Sequence, residues 1–355
     1  SKMQQINVGI IGTGWCGGIR ANTCAGSPLV KELHVAEINE DRLKEIVAET
    51  KPNSSTTDYM KIIENDSLDT IIISATPETT HYPMAKAALL AGKHVFLEKP
   101  LALTLEEADE LIQIQKEKNL KFAIGYSQRF NHKFAYAKKS LMEKTIGEPV
   151  CVLVSRHLTR GLGKKISGRI KLSPAAMEAT HDLDFVLWLM EPAKPVQVYS
   201  QAVDGAMKSV TGSADAQWIM VTMDNGVILN IGAGWTMPPG HPNYSATWIE
   251  LTGTDGMLVI DDTHRDVIFN TMDNGIRLPM STMPGESVGH VFAGPMHNET
   301  LHWIEAVAFD RPEMCSAEKA RRVMEIYMAA DVSAELNEAV KLPLVGTPLS
   351  AVASA

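Results

Sequence analysis

The sequence predicts an α/β chain in two parts, a doubly wound parallel sheet followed by a C-terminal α/β domain with a mostly antiparallel sheet. Three observations predict it. Short Ile- and Val-rich runs without polar alternation recur early in the chain with helical stretches between them, the pattern of strands buried on both faces. Beyond Gly147-Glu148-Pro149 the strands follow one another through turn signals instead. Finally, 355 residues with 45% hydrophobic content exceed what one core accommodates, so two domains are expected, over residues 1–126 and 127–355.

In the first domain INVGIIG, ELHVAEI, DTIIISAT and KHVFLEK read as strands. Helices are expected between them at 41–49, 58–64 and 80–91, the last stopped by Gly92 as a left-handed C′ residue. LTLEEADELIQIQKEKN is a helix whose Thr104 and Glu107 fit a capping box, and KFAIGYS is the strand after it. In the second domain CVLVSRHL, PVQVYSQAV, AQWIMVTM, GVILNIGAGW, ATWIELTG and GMLVID read as successive strands, with turns at Asp224-Asn225-Gly226 and Thr254-Asp255-Gly256. Helices over 175–190, 298–309 and 317–337 flank them.

A net charge of -9 and a pI near 5.7 argue against nucleic acid or an anionic membrane as the main partner and leave small molecules. The four cysteines, Cys16, Cys24, Cys151 and Cys315, form no C-x-x-C pair, so no metal site and no disulfide framework is expected. With no secretory pattern in SKMQQINVGIIG and no apolar run near the ~20 residues that span a bilayer, the expected location is the cytoplasm.

Gly12-Thr13-Gly14-Trp15-Cys16-Gly17 stands between an apolar strand and a helix. In such a G-x-G-x-x-G turn the first glycine permits the bend, the second lets backbone approach a pyrophosphate, and the third lets helix and strand pack. Glu37 follows Gly17 by 20 positions at the end of the next strand, where a carboxylate takes the ribose hydroxyls of NAD and repels the 2′-phosphate of NADP. This is the fingerprint of a Rossmann domain, with NAD favoured over NADP and Arg42 as the competing consideration. Ligands bind at the C-terminal ends of such strands. There Ala75-Thr76-Pro77-Glu78-Thr79-Thr80-His81 follows one strand and Glu98-Lys99-Pro100 another. Pro100 restricts Lys99, whose ammonium could bond a substrate oxygen, although a strand-terminal lysine taken alone is more often solvated. His181 and Asp184, three apart on a helix, share a face; Asp182 and Asp184 near a helix start also suit its dipole without further purpose.

GTGWCG with Glu37, ATPETTH, AGKHVFLEKP, GYSQRF, GEP and THDLDFVLWL, in this order across nearly the whole chain, resemble the Gfo/Idh/MocA family, which includes glucose-fructose oxidoreductase and inositol dehydrogenases. The resemblance implies an oxidoreductase with a Rossmann domain and a large open sheet whose exposed face forms homodimers or homotetramers. It implies that Lys99 lies near the substrate hydroxyl and nicotinamide, and that His181 takes the hydroxyl proton as hydride leaves the same carbon. Asp184 would orient that histidine or bind a substrate hydroxyl. Arg129, beside Gln128, would lie on the substrate side of the cofactor, and Tyr244 in a pocket-lining loop. The cofactor set so implied is Gly12, Gly14, Trp15, Cys16, Gly17, Glu37, Thr76, Pro77, His81, Glu98, Lys99 and Arg129. One position departs from the family: the aspartate that many members carry four residues before the histidine is Met177 here, with Glu178 next to it.

Arg156, Arg160, Lys164, Lys165, Arg169 and Lys171 form a stretch without acidic residues. They suggest recognition of a substrate carboxylate or phosphate, Arg156 foremost, against the weightier reading of a solvated loop or subunit contact. The expected function is NAD(H)-linked oxidation of a secondary alcohol, or reduction of its ketone, on a sugar, cyclitol or related polyol. The alternatives are a dehydrogenase of an acidic cyclic diol, such as a dihydrodiol carboxylate, or of a uronate; an NAD-dependent glycoside hydrolase; and a regulator that binds dinucleotide without turnover.

Overall fold

The computed structural model describes residues 4–243, 245–262, 267–279 and 285–344. The chain divides into two compact units, Ser1–Phe130 with Met283–Arg321, and Asn131–Thr282 with Arg322–Ala355. A single cut at 126/127 does not contain the return of the 283–321 segment to the first unit.

The elements run in order β1 (Ile6–Ile11), α1 (Trp15–Gly26), β2 (Val30–Ala36), α2 (Glu40–Thr50), β3 (Ser54–Thr56), α3 (Tyr59–Ile63), β4 (Thr70–Ile73), α4 (His81–Leu90), β5 (His94–Glu98), α5 (Leu105–Glu117) and β6 (Phe122–Gly125). Next come α6 (His132–Met142), β7 (Pro149–Thr159), α7 (Arg160–Ser167), α8 (Thr180–Met190), β8 (Pro195–Val203), α9 (Lys208–Thr211), β9 (Ala216–Met223), β10 (Ile228–Met237), β11 (Ser245–Gly253), β12 (Met257–Asp262), β13 (Phe269–Thr271) and β14 (Gly275–Arg277). The hairpin β15 (Glu286–Val288) and β16 (Val291–Ala293) precedes α10 (Pro295–Phe309), α11 (Ala317–Leu336) and β17 (Val340–Lys341). Short polar side chains start several helices: Asn39 accepts from Arg42 N, Asp58 from Met60 N and Thr104 from Glu107 N. Gly92, at φ 78°, ends α4 as expected.

In the first unit six parallel strands lie in the order β3-β2-β1-β4-β5-β6, with the crossover between β1 and β4 that opens a ligand crevice at the strand ends. The core joins Val8, Ile10, Val35, Ile72 and Phe96 to Ala21 and Cys24 of α1 and, from the returning segment, Trp303 and Ile304 of α10. Trp303 is 1% exposed, donates from Nε1 to Thr70 Oγ1 at 3.0 Å and packs on Phe96. A buried indole needs that acceptor, which ties α10 to the middle of the sheet.

In the second unit seven strands lie in the order β12-β11-β7-β10-β9-β8-β17. The sheet is mixed: β7 and β10 run parallel and the other pairs antiparallel. Alternate residues of β7, Val152, Val154, Arg156 and Leu158, are buried, whereas Leu153 between them is exposed. Cross-strand register aligns the residues of this face across the sheet, Trp218–Gly232–Ser155–Trp248 in one row and Met220–Asn230–Leu153–Glu250–Val259 in the next. A Cβ at Gly232 would lie 2.7 Å from Trp218 Nε1, so the glycine gives the indole its bed.

Candidate active site

β1 feeds directly into the glycine turn. At Gly12, φ is 87° and a Cβ would meet Ala75 N at 2.7 Å; at Gly17 it would sit 2.0 Å from Gly12 O. These two positions are glycine because the chain packs on itself. Around the Cβ position of Gly14, by contrast, nothing lies within 4 Å. Gly14 starts α1 without a side-chain cap, so the first-turn N–H groups face an open approach, a fit for the pyrophosphate of a dinucleotide. Trp15 is exposed beside it.

Glu37 is held against this turn. Its Oε1 accepts from Thr13 N and Thr13 Oγ1, each at 2.9 Å, and its Oε2 accepts from Asn39 N at 2.9 Å. Partial burial opposes ionisation, but the bonds from Asn39 and Thr13 and the nearby Arg42 outweigh it and hold the carboxyl below the usual range. Arg42 is itself occupied: Nε donates to Thr13 O at 2.7 Å and Nη1 to Glu45 at 3.0 Å. The glycine turn therefore has a fixed anion beside it.

At the neighbouring strand ends, Thr76 and Pro77 are exposed after β4. His81 is buried, with Nδ1 2.8 Å from Pro100 O and Nε2 3.0 Å from Ala75 O, so its ring joins the loop after β4 to the turn after β5. Lys99, half-buried, lies in that turn between Glu98 and Pro100. Glu98 is clamped by Arg20 through Nε and, at 3.1 Å, through Nη2, and accepts from Ser74 Oγ at 3.0 Å. The Cys16 thiol is pushed up to about 12, by burial and then by Glu98, which keeps it neutral at the turn. Arg129 is buried and donates from Nη1 to Met314 O at 3.0 Å, an acceptor from the returning segment.

In the second unit, α8 is preceded by one turn of π-helix, Ala175–Ala179. Ser173 Oγ accepts from Ala176 N and Gln217 Oε1 from Ala175 N, each at 3.1 Å, and both side chains donate to the half-buried Asp331. Such a bulge re-aims the residues after it. Along α8 only His181 and Trp188 are not buried, so His181 is the titratable side chain this helix leaves accessible. Asp184 is fully buried. Met177 sits with Leu158 and Trp235 in an apolar cluster joined by Leu162 and Ile166, and Glu178 Oε1 accepts from Trp235 Nε1 at 2.9 Å.

The basic stretch is divided by its surroundings. Arg156 is 6% exposed and grips Asp182 through Nε at 2.7 Å and Nη2 at 3.0 Å. Burial opposes its charge, but the Asp182 carboxylate outweighs that and holds the guanidinium ionised. This geometry suits an arginine that anchors α8 to β7 better than one that reaches for a ligand. Arg160 donates to Thr236 O at 3.1 Å from the start of α7, and Lys164, Lys165, Arg169 and Lys171 are exposed. Tyr244 lies outside the described residues. Among the described residues, no cluster of three or more His, Cys, Asp or Glu side chains could hold a metal ion, and no helix is long and apolar enough to cross a membrane.

Sequence reasoning missed Arg20, Glu299, Ser127 and Trp235. Nothing in α1 marks Arg20, since it lies among small and apolar residues with its acidic partners 78 and 279 positions away.

A 3-2-1-4-5-6 parallel sheet, a glycine turn opening on a bare helix N-terminus and an anchored Glu37 define a dinucleotide-dependent oxidoreductase. Residues 6–126 match the model of an oxidoreductase family with an NAD-binding Rossmann fold, and residues 134–259 that of the GFO/IDH/MocA C-terminal domain. The chain belongs to the Gfo/Idh/MocA family. It is 26% identical to a UDP-N-acetylglucosamine 3-dehydrogenase of Acidithiobacillus ferrooxidans over 94% of this chain and 98% of that protein. It is also 26% identical to a scyllo-inositol 2-dehydrogenase (NAD(+)) of Bacillus subtilis over 72% and 74%. Its fold is that of the scyllo-inositol dehydrogenase from Lactobacillus casei with bound cofactor NAD(H) and scyllo-inositol, with TM-score 0.80, 22% identity and coverage of 95% and 99%.

Proposed function

We propose that this chain is an NAD(H)-dependent dehydrogenase that moves hydride between nicotinamide and a secondary alcohol or ketone of a sugar, cyclitol or related polyol. The observation that carries the proposal is the glycine turn with Glu37 locked to it, beside a strand end bearing Lys99. When bound, the cofactor accepts or returns a hydride at nicotinamide C4. The Gly14 opening and the α1 N-terminus receive the pyrophosphate, and Glu37 takes the adenosine ribose hydroxyls, which favours NAD over NADP. Lys99 bonds the substrate oxygen and stabilises the charge that develops there, while His181, oriented by Asp184, takes the hydroxyl proton. In oxidation the substrate thus loses one hydride and one proton. The apolar setting of Met177 supports a second reading, a substrate with fewer hydroxyls, such as an acidic cyclic diol.

The test is a screen of polyols, uronates and dihydrodiols with NAD and with NADP, following nicotinamide absorbance for wild type and Lys99→Ala. Turnover by wild type and its loss in the variant are expected; an equally active variant ends the assignment of Lys99. The exposed Trp218, Met220, Leu153, Trp248 and Val259 support a homo-oligomer formed through the open sheet face. Trp218→Lys is expected to lower the mass seen by light scattering, and an unchanged mass removes that face. The four cysteines without disulfides suit a cytoplasmic enzyme; finding the purified native protein disulfide-linked would oppose it.

A further inference from the structure

The first unit encloses a polar cluster around Glu98 whose other members, Arg20 and Glu299, neither the cofactor fit nor the hydride chemistry uses. Its centre is Arg20, fully buried on α1. Besides the two bonds to Glu98, Arg20 donates from Nη2 to Glu299 Oε1 at 2.7 Å and from Nη1 to Thr300 Oγ1 at 3.1 Å. Ser127 Oγ donates to Glu299 Oε1 at 2.9 Å. A Cβ at Gly125 would fall 2.5 Å from Glu98 Oε2 and 3.2 Å from Arg20 Nη2, so the strand end is glycine to make room for the clamp.

Two carboxyl groups thus share one guanidinium, and they are not equivalent. Glu98 receives bonds on both oxygens, from Arg20 twice and from Ser74. Glu299 receives both of its bonds on Oε1, while its Oε2 is buried with no hydrogen-bond partner among the described residues. An ionised Glu299 would leave a bare anionic oxygen in the core and give the cluster a net charge of -1; a protonated one leaves it neutral. The groups that face Glu299 are Arg20 and Cys16 of α1, Glu98 of β5 with Lys99 next to it, and Ser127 after β6. Thr300 is its own neighbour on α10, and His297 half a turn earlier is engaged by Thr23 Oγ1 at 3.0 Å.

We propose that Arg20 and Glu299 are positioning residues for Lys99, acting through Glu98, and that the Glu299 carboxyl is the group of this cluster that gains and loses a proton near neutral pH. Burial first, and then the negative charge of Glu98, push the Glu299 carboxyl up to about 7 against the opposing pull of Arg20. With the proton on, the clamp fixes the direction of the Glu98-Lys99-Pro100 turn without adding negative charge beside the Lys99 ammonium. With the proton off, the added charge stabilises that ammonium and makes Lys99 a weaker acid. The inference rests on the proposed role of Lys99 only for its effect on turnover; the proton on Glu299 stands apart from it.

The experiment uses the full-length protein with NAD and the substrate found in the screen. Glu299→Gln keeps the shape and the Arg20 bond but makes the cluster permanently neutral. One charge removed at an effective dielectric near ~20 is expected to move the alkaline limb of the kcat/KM profile, set by loss of the Lys99 proton, down by about one pH unit, with the KM for NAD unchanged. Infrared difference spectra of wild type minus Glu299→Gln, without substrate, are expected to show the C=O band of a protonated carboxyl at about pH 5.5 that is lost by about pH 8.5. Superimposable pH profiles, or no such band at the lower pH, overturn the proposal. A raised KM with an unmoved profile would show a merely structural side chain and overturns it too. Lys99→Ala is measured in parallel: if it turns over like wild type, the Lys99 assignment falls, while the infrared band still decides where the proton sits.

Discussion

Replacing Glu37 with serine tests the cofactor end at a single side chain. The carboxylate accepts three internal bonds, two from Thr13 on Oε1 and one from Asn39 on Oε2, which leaves a lone pair of Oε2 for a ribose hydroxyl. A hydrogen bond to a charged group contributes about 1.5–3 kcal/mol, so losing the ribose contact should raise the KM for NAD roughly 10- to 150-fold. The same change removes the anion that repels a 2′-phosphate, so the KM for NADP should fall and the NAD/NADP ratio of kcat/KM should drop by at least ~100-fold. Because the Glu37 carboxyl is held below its usual range, its ionised form persists through the working pH, and the preference of wild type should not change between about pH 6 and 9. Steady-state kinetics with both cofactors measure the ratio, and thermal unfolding separates recognition from the smaller loss of the Thr13 clamp, about 1 kcal/mol. A ratio within about twofold of wild type, in a variant that is folded at the assay temperature, refutes the assignment.

Trp303→Ala removes a fully buried indole and leaves Thr70 Oγ1 without its donor, so a loss of about 3–5 kcal/mol in urea unfolding is expected; under 1 kcal/mol would mean that α10 does not close this core. Arg156→Ala strands Asp182 in the core and should destabilise by about 3–5 kcal/mol, whereas a folded, stable variant with only a raised substrate KM would return Arg156 to substrate recognition. Asp331 is pushed up to about 6 by burial, against the bonds from Ser173 and Gln217. Its native form holds a proton that the unfolded chain releases near pH 4, so its contribution to stability falls as pH rises from about 4 through 6. Asp331→Asn should remove on the order of 3 kcal/mol of that decline, read from urea unfolding at several pH values; an unchanged pH slope contradicts the shift.

Much of the architecture was legible because it is written locally. Buried parallel strands need unbroken Ile and Val, the glycines of the turn have no Cβ to clash, and Thr104 caps α5 with its own hydroxyl. The turns at Asp224-Asn225-Gly226 and Thr254-Asp255-Gly256 likewise announced the antiparallel pairs β9 with β10 and β11 with β12. Two features escaped. The parallel pairing of β7 with β10 depends on which strands meet, and local alternation is the same for either direction. The π-turn before α8 depends on Ser173 and Gln217 taking the first N–H groups, with Gln217 supplied from a distant strand.

By itself the sequence located the glycine turn and the acidic end of β2, each a residue type at a fixed distance from its own strand, while the family resemblance singled out the lysine between Glu98 and Pro100 and the histidine of α8. Only the tertiary structure decided the partners. It joined Arg20 to Glu98 and Glu299, committed Arg156 to Asp182, buried Met177 among apolar side chains and returned Trp303 to the first core. The physical reason is one of range: backbone geometry acts over a few residues, whereas a buried charge is neutralised by whichever opposite charge the fold brings within about 3 Å, however far away it stands in the chain.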